Sequence, residues 1–179
     1  MNRGLFLLLP ALLLARPALA DQHGETHDPD NVTAISEYQV TVNKALERWA
    51  AKEHTNAIDT LKKAIRLAPK NPLGPLLLAE LYILKNNLGE AEAAIAQAKD
   101  GSTQNAQLYA RVLYFSADLS ERQKKWDAAV AGWQLYVEYV GKAGVGWPEV
   151  GAQRLARMQK HAEMDKAYVA VRQRVSSTR

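Results

Sequence analysis

No cysteine occurs among the 179 residues. Disulfides, thiolate metal sites and cysteine nucleophiles are thereby excluded together, and the fold must be held by packing alone. Equally absent are a glycine-rich phosphate loop, a His-Glu-x-x-His zinc motif and a Gly-x-Ser-x-Gly nucleophile elbow. His54 and His161 stand alone, without a serine or acid at a recognisable spacing, and read as surface histidines. Glu90 and Glu92, with Glu80 upstream, do not form an acid-base pair, because helical periodicity turns Glu90 and Glu92 in different directions. No apolar run is long enough to span a bilayer, which takes about 20 residues; the run Leu5 to Ala15 is interrupted by Pro10 and followed by Arg16 and Pro17. What remains is a chain that offers surfaces instead of reactive groups, with no enzyme activity and no cofactor expected.

The first twenty residues combine a basic start at Arg3, that short apolar run and a small-x-small ending at Ala18-Leu19-Ala20. This is the pattern of a secretory signal peptide cut before Asp21, and it predicts a periplasmic or secreted protein. About 159 residues remain after cleavage, the usual size of one domain. Losing Arg3 and Arg16 leaves 21 basic against 19 acidic residues, a net charge of +2, so nothing calls for a nucleic-acid partner.

Residues 21–33 mix His, Asp, Gly, Pro and Asn without apolar period and read as a mobile leader. His23, Glu25, His27, Asp28 and Asp30 could ligate a transition metal, which gives an alternative function as a metal or small-ligand carrier, but no framework fixes their geometry. Asn31-Val32-Thr33 spells a glycosylation acceptor.

Beyond the leader the signals are helical. Ile35, Tyr38, Val42, Ala45 or Leu46, and Trp49 recur at three- and four-residue steps, Lys52 to Asn56 makes a turn, and Ala57 to Leu67 returns until Pro69 and Pro72 stop it. Asn71 is the expected cap of the third helix, with Gly74-Pro75 delaying its start. Gly101 stands where a left-handed residue would end the fourth helix, and Ser102 or Thr103 would cap the fifth. Leu108, Val112, Phe115 and Leu119 give the fifth an apolar face; Trp126 to Val140 is the sixth; Gly141 to Trp147 is a loose connection; and Pro148 opens two last helices, fused or separate. The tail 176–179 should fray.

The apolar pattern repeats. Ala45, Ala57, Leu61 and Ala64 are followed 34 residues later by Ala79, Ala91, Ile95 and Ala98. With Leu78-Ala79-x-x-Tyr82 and Gly89-Glu90-Ala91, these positions resemble the tetratricopeptide repeat, a 34-residue helix-turn-helix with small residues where its helices A and B meet. The resemblance implies an all-α fold of antiparallel helix hairpins stacked as a short right-handed solenoid over 34–175, with repeats at 38–71, 72–105, 106–143 and 148–175. Trp126-Asp127-x-Ala129 and Trp133 mark the third unit, Ala129 lying 38 residues after Ala91 because its first helix is longer. Met164-Asp165-x-Ala167 and Val171 suggest a half-degenerate fourth unit or a cap. In the first unit Arg48 occupies the place of a large aromatic and Trp49 follows it, which a one-residue shift in the turn would explain.

The same resemblance implies a binding groove lined by the A helices: Val42 and Leu46 from the first unit, Leu76, Glu80 and Ile83 from the second, and Arg111, Tyr114, Asp118 and Arg122 from the third. It starts apolar and ends charged, which suits a protein or peptide partner with one apolar anchor and a few charges. Val42 and Leu46 stand where carboxylate-clamping family members carry lysine and asparagine, which argues against that mode. The basic residues Arg154, Arg157, Lys160, Lys166, Arg172 and Arg174 are either the solvated face of a terminal cap or a patch for peripheral contact with the envelope. Trp133, Tyr136 and Tyr139 are either core or a self-association face, so the oligomeric state stays open.

Overall fold

The structure, a computed structural model, describes residues 36–177. The signal-like segment, the leader with its histidines and the glycosylation triplet lie outside the described residues. Within them the chain folds into seven α-helices: α1 (Glu37–Ala50), α2 (His54–Leu67), α3 (Leu73–Leu84), α4 (Leu88–Ser102), α5 (Ala106–Arg122), α6 (Trp126–Ala143) and α7 (Pro148–Ser177). Each packs on the next, pairing α1 with α2, α3 with α4 and α5 with α6; α3 also touches α5 directly, and α7 lies on α6. This is an all-α helical-repeat solenoid, the fold class expected.

Small residues set the helix crossings. Ala45, Ala57, Ala64, Ala79, Ala91, Ala98 and Ala129 are all buried, most of them completely. Their side chains let backbones approach, and Leu61, Leu76, Leu81, Val42 and Val112 fill the space between hairpins. A second core, around Trp133, Tyr136, Val140 and Met158, holds α5, α6 and α7 together.

The turns inside the hairpins obey one rule. Lys52, Asn86 and Lys124 have positive φ, at 62°, 59° and 56°. The next residue in each case donates its N–H to a carbonyl five residues back: Glu53 to Arg48, Asn87 to Tyr82, Lys125 to Ser120. This is the left-handed helix ending that glycine usually supplies, here made by lysine and asparagine. The three residues are spaced 34 and 38 apart, as are Ala57, Ala91 and Ala129. The extra four residues lie in α5, which has 17 residues against 12 in α3; about one added turn leaves the helix facing the same way.

That spacing corrects the expected shift in the first turn. Lys52 and Asn86 are in register, and Arg48 itself makes the interhelical contact: its Nη1 donates to the Thr60 hydroxyl and, at 3.3 Å, to the Asn56 carbonyl on α2.

Other local expectations change as well. The first turn is shorter than expected, since α2 already begins at His54. Asn71 does accept the Leu73 N–H, at 3.0 Å, but Gly74-Pro75 does not delay α3. Gly101 is not a left-handed terminator: it lies inside α4, where a Cβ would fall 2.7 Å from the Lys70 carbonyl oxygen and 3.2 Å from Pro72 Cδ. It is needed for close approach to the α2–α3 loop. The cap of α5 is Asn105, whose side chain accepts the Leu108 N–H at 3.0 Å, and not Ser102 or Thr103. The loose connection is shorter than expected, because α6 runs through Gly141 and ends at Gly144, with φ 64°.

The last segment is one unbroken helix. Its first half buries Gly151, Met158 and Ala162; from Glu163 to Ser177 every residue is exposed. No turn divides it at Met164-Asp165-x-Ala167, so of the two forms expected for the last helices the structure has the fused one, a single cap that continues past the body.

Candidate protein-binding face

Leu46 in α1, Glu80 in α3 and Asp118 in α5 hold the same position in successive A helices, 34 and 38 residues apart. They trace a line across the stack from an apolar to a charged end. Leu46 is 40% exposed. Glu80 is largely covered and is bridged by Arg111 of α5, which ties two neighbouring A helices together. Burial raises the Glu80 carboxyl above its ordinary range; the Arg111 charge and hydrogen bond pull the other way without overcoming it.

Asp118, only 5% exposed, receives two arginines. Arg122 Nε donates to Oδ2 at 2.6 Å from within α5, and Arg154 Nη2 donates to Oδ1 from α7. Beside it Glu121 accepts Arg157 Nη2 at 2.7 Å, with Arg154 Nε at 3.3 Å. The Arg154 guanidinium also lies over the Trp133 ring, 4.9 Å from its centroid. Two carboxylates of α5 and two arginines of α7 thus lock α7 onto α5, with Trp133 as the floor.

These positions sort the residues expected in the groove. Val42, Leu76 and Ile83 are core, at 0%, 0% and 4% exposure, because they point between the helices of their own and neighbouring hairpins and not into open space. Leu46, Glu80, Arg111 and Arg122 remain on the face, the last three in ion pairs, while Asp118 is as buried as the core residues and lies beneath its arginines. Tyr114 is half-buried, edge-on to Phe115, Trp133 and Tyr136. Two contributors were missing from the expected set. Leu84, one turn beyond Glu80, is 57% exposed; its four-residue spacing from Glu80 was a usable signal. Arg154 belongs by sequence to the basic stretch, and no spacing within one helix points it at Asp118.

The basic stretch is less free than its composition suggests. Besides Arg154 and Arg157, Lys166 pairs with Asp127 at 3.0 Å, and the Arg172 guanidinium lies 5.8 Å from the Tyr168 ring centroid. The self-association face around α6 is overturned, since Trp133 and Tyr136 are 0% and 1% exposed and Tyr139 packs edge-on against Tyr109 at 4.9 Å. Of the isolated histidines, His161 stacks on Trp126 with ring centroids 4.9 Å apart. Among the described residues no group of three or more His, Asp or Glu is placed to hold a metal, and no helix is long and apolar enough to cross a membrane.

Comparison with known proteins agrees with this geometry. The family model described as Tetratricopeptide repeat matches residues 48–113. No curated protein matches the sequence. Among solved structures, the Sgt2 tetratricopeptide repeat domain from Aspergillus fumigatus superposes with a TM-score of 0.62 at 17% identity, covering 74% of this chain and 83% of its own. The first such domain of Spaghetti (RPAP3), bound to the HSP90 peptide SRMEEVD, gives 0.61 at 16% identity over 71% and 94%. The Arabidopsis OM64 domain gives 0.59 at 15% identity over 69% and 95%. Identities this low speak for the fold alone. Residues 48–113 thus carry the tetratricopeptide repeat pattern, and the helix-hairpin stack of the described residues is similar in fold to tetratricopeptide repeat domains.

Proposed function

We propose that the protein is a non-catalytic interaction scaffold of the periplasm or cell envelope, which receives a peptide or helix of a partner protein along its A-helix face. The observation that carries the proposal is the line Leu46, Glu80, Asp118, flanked by exposed Leu84. Two leucines in solvent beside a rigid row of ion pairs form a preformed surface with apolar anchors at one end and fixed charges at the other. A similar fold, that of Spaghetti, carries an HSP90 peptide; a bound peptide is the kind of occupant we propose here, without the same sequence preference. The acidic groups on this face are held by arginines, which suits positioning a partner and leaves them poorly placed for proton transfer. Export rests on the signal pattern at Arg3 to Ala20.

Site-specific photocrosslinking in cells tests the reading. A crosslinking residue at Leu46 or Leu84 should capture a discrete protein band, and one at Asp59, exposed on α2, should not. Equal capture from both sites, or none, would remove the A-helix face as the site. Retention of the protein in the cytosol with residues 1–20 uncut would remove the location.

A further inference from the structure

The outer half of α7 carries an apolar stripe unrelated to its packing on α6. Gly151, Leu155, Met158 and Ala162 face the body at spacings of 4, 3 and 4. Met164, Tyr168, Val171 and Val175 repeat the same spacings on the far side of the helix, and they are 67%, 62%, 54% and 54% exposed. Spacing of 4, 3, 4 is the seam of a two-stranded coiled coil. Successive 100° steps place this stripe about 140° around the helix from the packed one, clear of the domain.

We propose that this stripe pairs with the same stripe of a second copy, the two helices running antiparallel. Charge decides both the occupant and the direction. Asp165 and Arg172 flank the seam on one side, one heptad apart. An antiparallel pair centred between Tyr168 and Val171 sets Met164 against Val175 of the other copy, and Tyr168 against its Val171. The same alignment brings Asp165 opposite Arg172 of the other copy twice, through the symmetry of the pair. In a parallel pair Asp165 and Arg172 stay seven residues apart along the seam and never meet, and both bodies would lie at the same end. The helix continues past its domain, so the two bodies lie at opposite ends of the seam. Four side chains per copy bury less than the roughly 1,200–2,000 Å² of a stable interface, so the dimer is weak and depends on concentration. This pairing is independent of what the A-helix face binds.

The test is sedimentation equilibrium on protein purified from cells expressing the full chain, with circular dichroism to show that each variant keeps its helix content. The native protein should show a monomer–dimer equilibrium. Asp165→Arg alone and Arg172→Asp alone should each raise the dissociation constant at least tenfold, and the double exchange Asp165→Arg with Arg172→Asp should restore it. A native protein that stays monomeric at millimolar concentration, or a dimer indifferent to these exchanges, overturns the proposal. So does binding of the monomer to vesicles of phosphatidylcholine and phosphatidylglycerol at 3:1 that is lost with Tyr168→Glu, with no dimer formed, since the stripe would then serve a lipid surface.

Discussion

Arg154 on α7 covers the face of Trp133 on α6, 4.9 Å from the ring centroid, while donating to Asp118 on α5. One side chain therefore joins three helices, and it does so where the A-helix face ends. Asp118 is almost fully buried, and its two carboxylate oxygens are met by Arg154 and Arg122.

Replacing Arg154 with Met should accordingly destabilise the protein by about 2–3 kcal/mol, less than a fully broken buried pair because Arg122 remains. Urea unfolding checks this. Arg154→Lys should recover only part of the loss, since a point charge cannot serve Asp118, Glu121 and the ring together. An unchanged midpoint for Arg154→Met would show that the network adds nothing to α7 docking.

Lys52 and Lys124 hold left-handed backbone where a side chain is disfavoured. Lys52→Gly and Lys124→Gly should each stabilise by about 1 kcal/mol, read as a higher melting temperature. The two gains should nearly add, because the turns lie in separate hairpins. A loss of stability in either variant would contradict the left-handed geometry of that turn.

Glycine acts differently at Gly101 and Gly89. A Cβ at Gly101 meets the Lys70 carbonyl at 2.7 Å, whereas at Gly89 nothing lies within 4 Å. Gly101→Ala should cost about 1–3 kcal/mol by forcing the α2–α3 loop away. Gly89→Ala should stabilise by roughly 0.5–1 kcal/mol through helix propensity. Denaturant midpoints of the two variants moving in the same direction would contradict this packing.

Much of this architecture is legible in the sequence because the repeat is written in small residues at fixed spacing: Ala45 and Ala79, and Ala57, Ala91 and Ala129, locate the hairpins. The turns were harder to read, since Lys52 and Lys124 look like ordinary surface residues and their left-handed geometry is imposed by the helices on either side. Gly101 was visible as a glycine, but its neighbour lies about thirty residues away, beyond any local signal. The face was half legible. Leu46, Glu80 and Asp118 follow from register, while Val42, Leu76 and Ile83 belong to the core because burial depends on how tightly successive hairpins close. Arg154 depends on where α7 lies against α5, which no periodicity states.

The Tyr38 hydroxyl is pushed up to about 12 by burial, opposed in part by a backbone hydrogen bond at Gly74. Its folded value is above its unfolded one, so the neutral phenol's contribution is complete below about pH 10 and is lost as pH rises toward 12. Between those limits the stability of the native protein relative to Tyr38→Phe should fall by about 2–3 kcal/mol. Urea midpoints of both proteins from pH 9 to 12 check it, and a constant difference would show that Tyr38 does not titrate with unfolding.

The central claim is that the A-helix face, and not another surface, holds a partner protein. Its most direct measurement is quantitative co-purification from the cell envelope of the native protein and of a Leu46→Asp, Leu84→Asp variant, both positions being exposed. The account predicts that the variant melts within a few degrees of the native protein and loses its main partner at least tenfold. Undiminished recovery of the same partner by the folded variant would contradict it.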